Sequence, residues 1–127
     1  MDKRKIMILV ILTVFILGMT MGAACAATKT LKLKQNAFTS KKGYGGDTIY
    51  AYYSTVNGQY SKGVSVEAMH EGDVAYHTKL KKIKVYYKNK KTGKIKTKTK
   101  KASYGWASVG LKKGYRPYKV KVYYKRK

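Results

Sequence analysis

Beyond Thr28 the chain alternates apolar and polar residues with a period of two. Leu31 and Leu33 alternate with Lys32 and Lys34, Ile49, Ala51 and Tyr53 with Tyr50 and Tyr52, and Val64, Val66 and Ala68 with Ser65 and Glu67. Successive side chains of an extended strand point to opposite faces, so each stretch predicts a strand with one face in a core and one in water. The carboxy-terminal half repeats the pattern more strongly. Ile83, Val85 and Tyr87 face one way against Lys84, Tyr86 and Lys88, and Tyr118, Val120, Val122 and Tyr124 oppose Lys119, Lys121, Tyr123 and Lys125. Turn-forming residues separate these stretches at Lys42 to Asp47, Asn57-Gly58, Glu71-Gly72-Asp73, Asn89 to Gly93 and Lys112 to Gly114. The connection closed by Gly93 predicts a hairpin between 82–88 and 94–100, and Ala107, Val109 and Leu111 supply a further strand. About seven short strands at this spacing predict an all-β fold, an antiparallel sandwich of two sheets.

The amino terminus breaks the pattern. Lys3, Arg4 and Lys5 precede an apolar run from Ile6 to Leu17, and small residues follow in Gly22 to Ala27. A charged start, an apolar middle and a small-x-small end make an export signal, an N-terminal hydrophobic helix over residues 1–27 with cleavage after Ala26 or Ala27. Ile6 to Ala27 is also long enough to serve as an uncleaved anchor, and Cys25 is a site for a lipid if the segment is processed as a lipoprotein, although Gly22 stands where leucine is usual. All three fates place residues 28–127 outside the cytoplasmic membrane, because the flanking cations stay inside.

Charge then decides what the domain meets there. The chain has 29 Lys and Arg against 5 Asp and Glu, a formal net charge of +24. A field of one sign and this size draws polyanions and resists self-association. Such a charge is typical of disordered tails, but 13 Tyr, one Trp and abundant Val and Ile argue for a packed core. With a single cysteine in the targeting segment, no disulfide framework is available. Inside a cell the lysines would point first to nucleic acid; after export they meet wall polymers and lipid head groups.

The residues argue against catalysis. Beyond the signal the carboxylates are Asp47, Glu67, Glu71 and Asp73 and the imidazoles His70 and His77, and no Gly-x-Ser-x-Gly, His-Glu-x-x-His or phosphate-loop pattern occurs. No cofactor or small-molecule substrate is implied. Loop-borne His70, Glu71, Asp73 and His77, with Glu67, have the chemistry to hold Zn²⁺ or Ca²⁺, weighed against a polar Glu-Gly-Asp turn that offsets nearby lysines; the turn is preferred.

The strongest functional signal is cations interleaved with rings. Lys82, Lys84, Tyr86, Lys88, Lys94, Lys96, Lys98, Lys100, Lys119, Lys121, Tyr123 and Lys125 are expected on the outward faces of their strands. Lysines opposite one another across a sheet repel and cost stability, so a face that keeps them is expected to meet a polyanion. Cations take phosphates or carboxylates, and flat rings stack on sugars or bases. Trp106 is expected mainly as a packing residue, with a ring platform as its other role.

The run from Gly105 through Trp106, Val109 and Leu111 to Gly114, followed by Tyr118-Lys119-Val120-Lys121-Val122, resembles the closing half of the immunoglobulin-like modules of adhesin-like surface proteins in methanogenic archaea. The resemblance covers about residues 80–125. It implies an immunoglobulin-like sandwich with an adhesive role and a tyrosine corner in which the Tyr118 hydroxyl returns to the backbone near Leu111. Two departures stand out: Tyr115-Arg116-Pro117 lengthen the turn, and the chain ends at Lys127, where such modules add a strand. Either the stretch from Thr30 to Lys34 fills that edge, or the edge is open to pairing with another chain.

Together these readings predict a cell-surface module bound to anionic cell-wall polysaccharide or another envelope polymer. The alternatives are a secreted cationic effector acting at membrane surfaces and a binder of extracellular nucleic acid.

Overall fold

A computed structural model of the chain describes residues 27–58 and 60–127. The expected export signal and Cys25 lie outside the described residues, apart from Ala27 at the signal's end. The strands are β1 (Ala27–Lys32), β2 (Ala37–Lys42), β3 (Thr48–Ser54), β4 (Gly63–His70), β5 (Asp73–Val74), β6 (Thr78–Asn89), β7 (Ile95–Lys101), β8 (Trp106–Val109) and β9 (Tyr115–Arg126). They form two antiparallel sheets. One runs β1-β9-β6-β7; the other runs β2-β3-β4, with β8 and β5 both pairing with β4. Among the described residues there is no helix.

The alternating positions build one core between the sheets. Leu31, Ile83, Val85, Val120, Val122 and Tyr124 come from the first sheet and Ile49, Ala51, Val64, Val66, Ala107 and Val109 from the second, all buried. Each large aliphatic removed from water contributes about 1.5–3 kcal/mol, so this cluster is the main source of stability in a chain without a disulfide. One edge of the first sheet is β1, which pairs along β9 from Ala27 opposite Tyr124 to Lys32 opposite Lys119. The stretch from Thr30 to Lys34, expected beside the last strand, overlaps β1.

Two β-bulges depart from simple alternation. In β6, Leu80 and Ile83 are both buried although three residues apart, and the register slips between Leu80 and Lys82 so that both reach the core. In β9, Pro117 and Val120 are both buried, and the ladder passes from Lys119 to Pro117. An extra residue on one strand resets the phase of everything beyond it. The β9 bulge corrects the expectation for Tyr118. Its ring lies 6.3 Å from Tyr86 and carries Lys88, half-exposed, instead of facing the core with Val120. The hydroxyl that returns to the backbone beside Leu111 belongs to Tyr87, which donates to the Gly110 carbonyl at 2.7 Å. Burial pushes the Tyr87 phenol up to about 12.

A buried carboxylate organises one end. Asp47 is fully buried and accepts from the backbone N–H of His77 at 2.7 Å and of Tyr76 at 3.2 Å, while its Oδ1 lies 2.8 Å from His70 Nδ1. Burial alone would raise its pKa; these bonds, with one from Thr78, outweigh it and hold the carboxyl far below the usual carboxylate range. At the other end of the second sheet Gly63, at φ 134°, lets β4 pass against β8. A Cβ there would strike the Val109 carbonyl oxygen and lie 2.9 Å from the Gly110 Cα.

Candidate functional site

The outer face of the β1-β9-β6-β7 sheet gathers most of the cations that the sequence singles out. Cross-strand register places Lys84 opposite Lys121, Lys79 opposite Lys125, Lys82 opposite Lys101 and Lys32 opposite Lys119. Lys88 stands opposite Arg116. No carboxylate occurs in any of the four strands. Directly opposed side chains have Cβ atoms about 5 Å apart, so each pair holds like charges at close range.

Tyrosines are set between them. Lys119 Nζ lies 4.5 Å from the centre of the Tyr86 ring and Lys84 Nζ 5.4 Å from it. Tyr123 is likewise approached by Lys82 at 4.7 Å and by Lys121 at 5.3 Å. The ring quadrupole attracts the ammonium groups and offsets part of their mutual repulsion, at about 0.5–1 kcal/mol for each exposed contact. The rings therefore hold the lysines in place, and the ammonium groups occupy faces that stacking bases would need. Around Tyr123 and the β6 bulge the sheet is hollowed by about 610 Å³, bordered by Lys79, Lys81, Lys82, Lys101 and Lys125.

The hairpin strand β7 behaves differently from the expectation. Lys96, Lys98 and Lys100 pair with Tyr87, Val85 and Ile83, so they share the core-facing side of the sheet, and Thr97 and Thr99 take the outer side. A register in which Ile95 meets Lys88 sets this, since a shift of one residue moves a whole strand's side chains to the other face. Lys94 precedes the strand, in the connection whose carbonyl accepts from Asn89 N–H. β7 is an edge strand exposed along its whole length, and inward-pointing lysines on such an edge discourage pairing with another chain. Lys96 and Lys98 border an opening of about 280 Å³ with Tyr87, Gly110 and Lys112.

A second cationic concavity shares Leu111 and Lys112 with that opening and is built mostly from other residues. Lys62, Lys90, Lys112, Lys113 and Arg116 surround about 670 Å³ floored by Tyr53, Leu111 and Tyr115. The loops are tied down: Asn89 Oδ1 accepts from Lys91 and Thr92 N–H, and Lys90 N–H donates to the Gly114 carbonyl. A hydrogen bond with Asn89 and the nearby Lys96 and Lys112, against a smaller effect of burial, lower the Tyr115 phenol from its ordinary value. Lys62, Lys90, Lys112 and Lys113 sit in connections remote in sequence and Arg116 at the start of β9, and the one sequence signal is the Lys112-Lys113-Gly114 run.

Two members of the cluster with metal-ligand chemistry are otherwise employed. His70 pairs with Asp47 and stacks on Tyr76 at 4.3 Å, and Asp73 caps the Val74 N–H at 2.8 Å and accepts from the Tyr76 hydroxyl. Glu71 lies in the turn at φ 50°. His77 sits 6.1 Å, ring to ring, from His70. Among the described residues no three His, Cys, Asp or Glu side chains are grouped to hold a metal ion.

The outer face of the second sheet is chemically distinct. Phe38, Tyr52 and Tyr60 pack ring to ring at 4.4–5.5 Å, and Glu67 stands between Tyr50 and Trp106 in adjacent strands. Trp106 is 48 % exposed, so of its two expected roles the platform is the one its position suits. No protein-family model, curated protein or solved structure matches this chain. Its chemistry is therefore read from the two faces alone. One offers opposed cations to an extended anion, and the other offers rings and one carboxylate.

Proposed function

We propose that the chain is an exported, non-catalytic cell-surface module that holds anionic envelope polymers on the outer face of its β1-β9-β6-β7 sheet. The observation that carries this reading is the direct opposition of Lys84 to Lys121, Lys82 to Lys101 and Lys79 to Lys125 on a face without a carboxylate. Such pairs cost stability in the free protein, and a polymer with regularly spaced phosphates or carboxylates removes that cost on binding. The concavity at Lys90, Lys113 and Arg116 extends the cationic surface around the end of the domain.

Several features support the adhesive, immunoglobulin-like part of the reading. The chain crosses between sheets from β1 to β2, from β5 to β6, from β7 to β8 and from β8 to β9, with β6 and β7 as a hairpin, which is compatible with the Greek-key connections of such modules. Cleavage after Ala26 would leave β1 whole, and cleavage after Ala27 would trim its first residue only. The capped rings of Tyr86 and Tyr123 favour a carbohydrate-type polyanion over single-stranded nucleic acid, whose affinity relies on open stacking surfaces.

The test is equilibrium binding to purified envelope polysaccharide over a range of salt. Affinity should fall steeply as salt rises, through release of counterions from the polymer. Binding that is unchanged between low and high salt would overturn the reading. Tighter retention of single-stranded DNA than of polygalacturonate, or dye leakage from anionic vesicles, would replace it with the nucleic-acid or membrane alternative.

A further inference from the structure

The aromatic face of the second sheet lies on the side of the molecule away from the lysine rows. There, Phe38, Tyr50, Tyr52, Tyr60, Glu67 and Trp106 line a cleft of about 290 Å³. Phe38 is 53 % exposed and Trp106 48 % exposed, so two large rings are presented to water at opposite sides of the cleft floor. The polar groups of its lining are the Glu67 carboxylate, flanked in register by Tyr50 and Trp106, the hydroxyls of Ser61 and Ser65, the latter 3.4 Å from that of Ser108, and those of the three tyrosines. Among the described residues Glu67 has no ion-pair partner.

Elimination narrows the occupant. An anion would lie against the Glu67 carboxylate and be repelled, and it has better partners on the opposite sheet. A wholly apolar surface would strip water from Glu67 and the serine hydroxyls and return no hydrogen bond to them. An organic cation suits rings and a carboxylate, but the net charge of +24 opposes its approach, and Lys41 and Lys42 flank Tyr50 on the β2 side. A neutral, polyhydroxylated ring meets every demand. Its C–H face packs on aromatic faces, whose quadrupole is negative, while its hydroxyl rim donates to Glu67 and exchanges hydrogen bonds with the serines.

We propose that this cleft binds a neutral pyranose oligosaccharide, independently of the polyanion face. One domain would then clip a neutral glycan on one sheet to an anionic polymer on the other.

Trp106 is the chain's one tryptophan and reports directly from the cleft. The full chain is titrated with cellohexaose, maltohexaose and chitohexaose, and Trp106 emission is followed at low and high salt. At least one hexasaccharide should shift the emission saturably, with the same affinity at both salts. Phe38→Ala, on an edge strand and exposed, should weaken it about three- to tenfold, and Glu67→Gln about tenfold; both should keep the parent circular dichroism. No shift with any of the three, or a shift unaffected by both variants, overturns the proposal. A shift produced only by tetramethylammonium or by polygalacturonate also overturns it, and assigns the cleft to a cation or to the polyanion. A salt-insensitive sugar response beside lost polyanion binding would sink the proposed function and leave this site standing.

Discussion

Replacing Lys121 by threonine should make the protein more stable and a poorer binder at the same time. Lys121 faces Lys84 on one side and Thr30 on the other, and its ammonium leans over Tyr123 at 5.3 Å, the longer of that ring's two lysine contacts. Two ammonium groups about 7 Å apart in water repel by about 0.6 kcal/mol. Diagonal neighbours such as Lys82 add a few tenths at low salt, and threonine gains a few tenths in strand preference. Against this, the lost cation–ring contact costs about 0.5 kcal/mol. The net expectation is a gain of about 0.5–1 kcal/mol at about 10 mM salt that shrinks towards zero at about 300 mM, where the screening length falls below the spacing of the charges. Unfolding in urea, which is uncharged, measures this directly. In the binding assay the same variant should reduce the slope of log affinity against log salt by about one. A variant that is less stable at low salt, or that keeps the parent slope, would refute the view that these lysines are retained for an anion at the expense of stability.

Three further outcomes follow from the core and its edges. Asp47→Ala should cost about 3–5 kcal/mol, because the Tyr76 and His77 N–H groups lose a buried charged acceptor. Since the Asp47 carboxyl is held far below its unfolded value, its contribution is complete above about pH 4 and is lost as pH falls; urea midpoints from about pH 6 down to about pH 2 should decline less steeply in Asp47→Asn than in the parent. Tyr87 has a raised phenol, so between about pH 10 and about 12 the unfolded chain ionises first and stability drops by up to about 1.4 kcal/mol per pH unit. Tyr87→Phe should lose about 0.5–1.5 kcal/mol at neutral pH with its bond to Gly110 and should remove that alkaline component, read by tyrosinate absorbance and urea unfolding together. Gly63→Ala should cost about 2–3 kcal/mol by thermal unfolding, from a left-handed φ and a clash with the Val109 carbonyl.

Within an unbulged stretch the sequence alone settles which residues of a strand share a face, because that depends only on the two-residue period of extended chain. Val120, Val122 and Tyr124 enter the core, and Lys119, Lys121 and Tyr123 stay out, for this local reason. It also locates the hairpin at Asn89 to Gly93, where turn chemistry is local too. What lies opposite what is not local. Bulges at Lys81 and Tyr118, the register that turns Lys96, Lys98 and Lys100 to the other side, and the pairing of β1 with β9 arise only when distant strands meet, and each decides where charges stand. The aromatic cleft is the extreme case. Phe38 is the one large apolar residue in β2, and Tyr52, Tyr60, Glu67 and Trp106 come from separate strands and a loop, so no window of sequence contains the site. A period carries information along one strand, and only the tertiary fold carries it across.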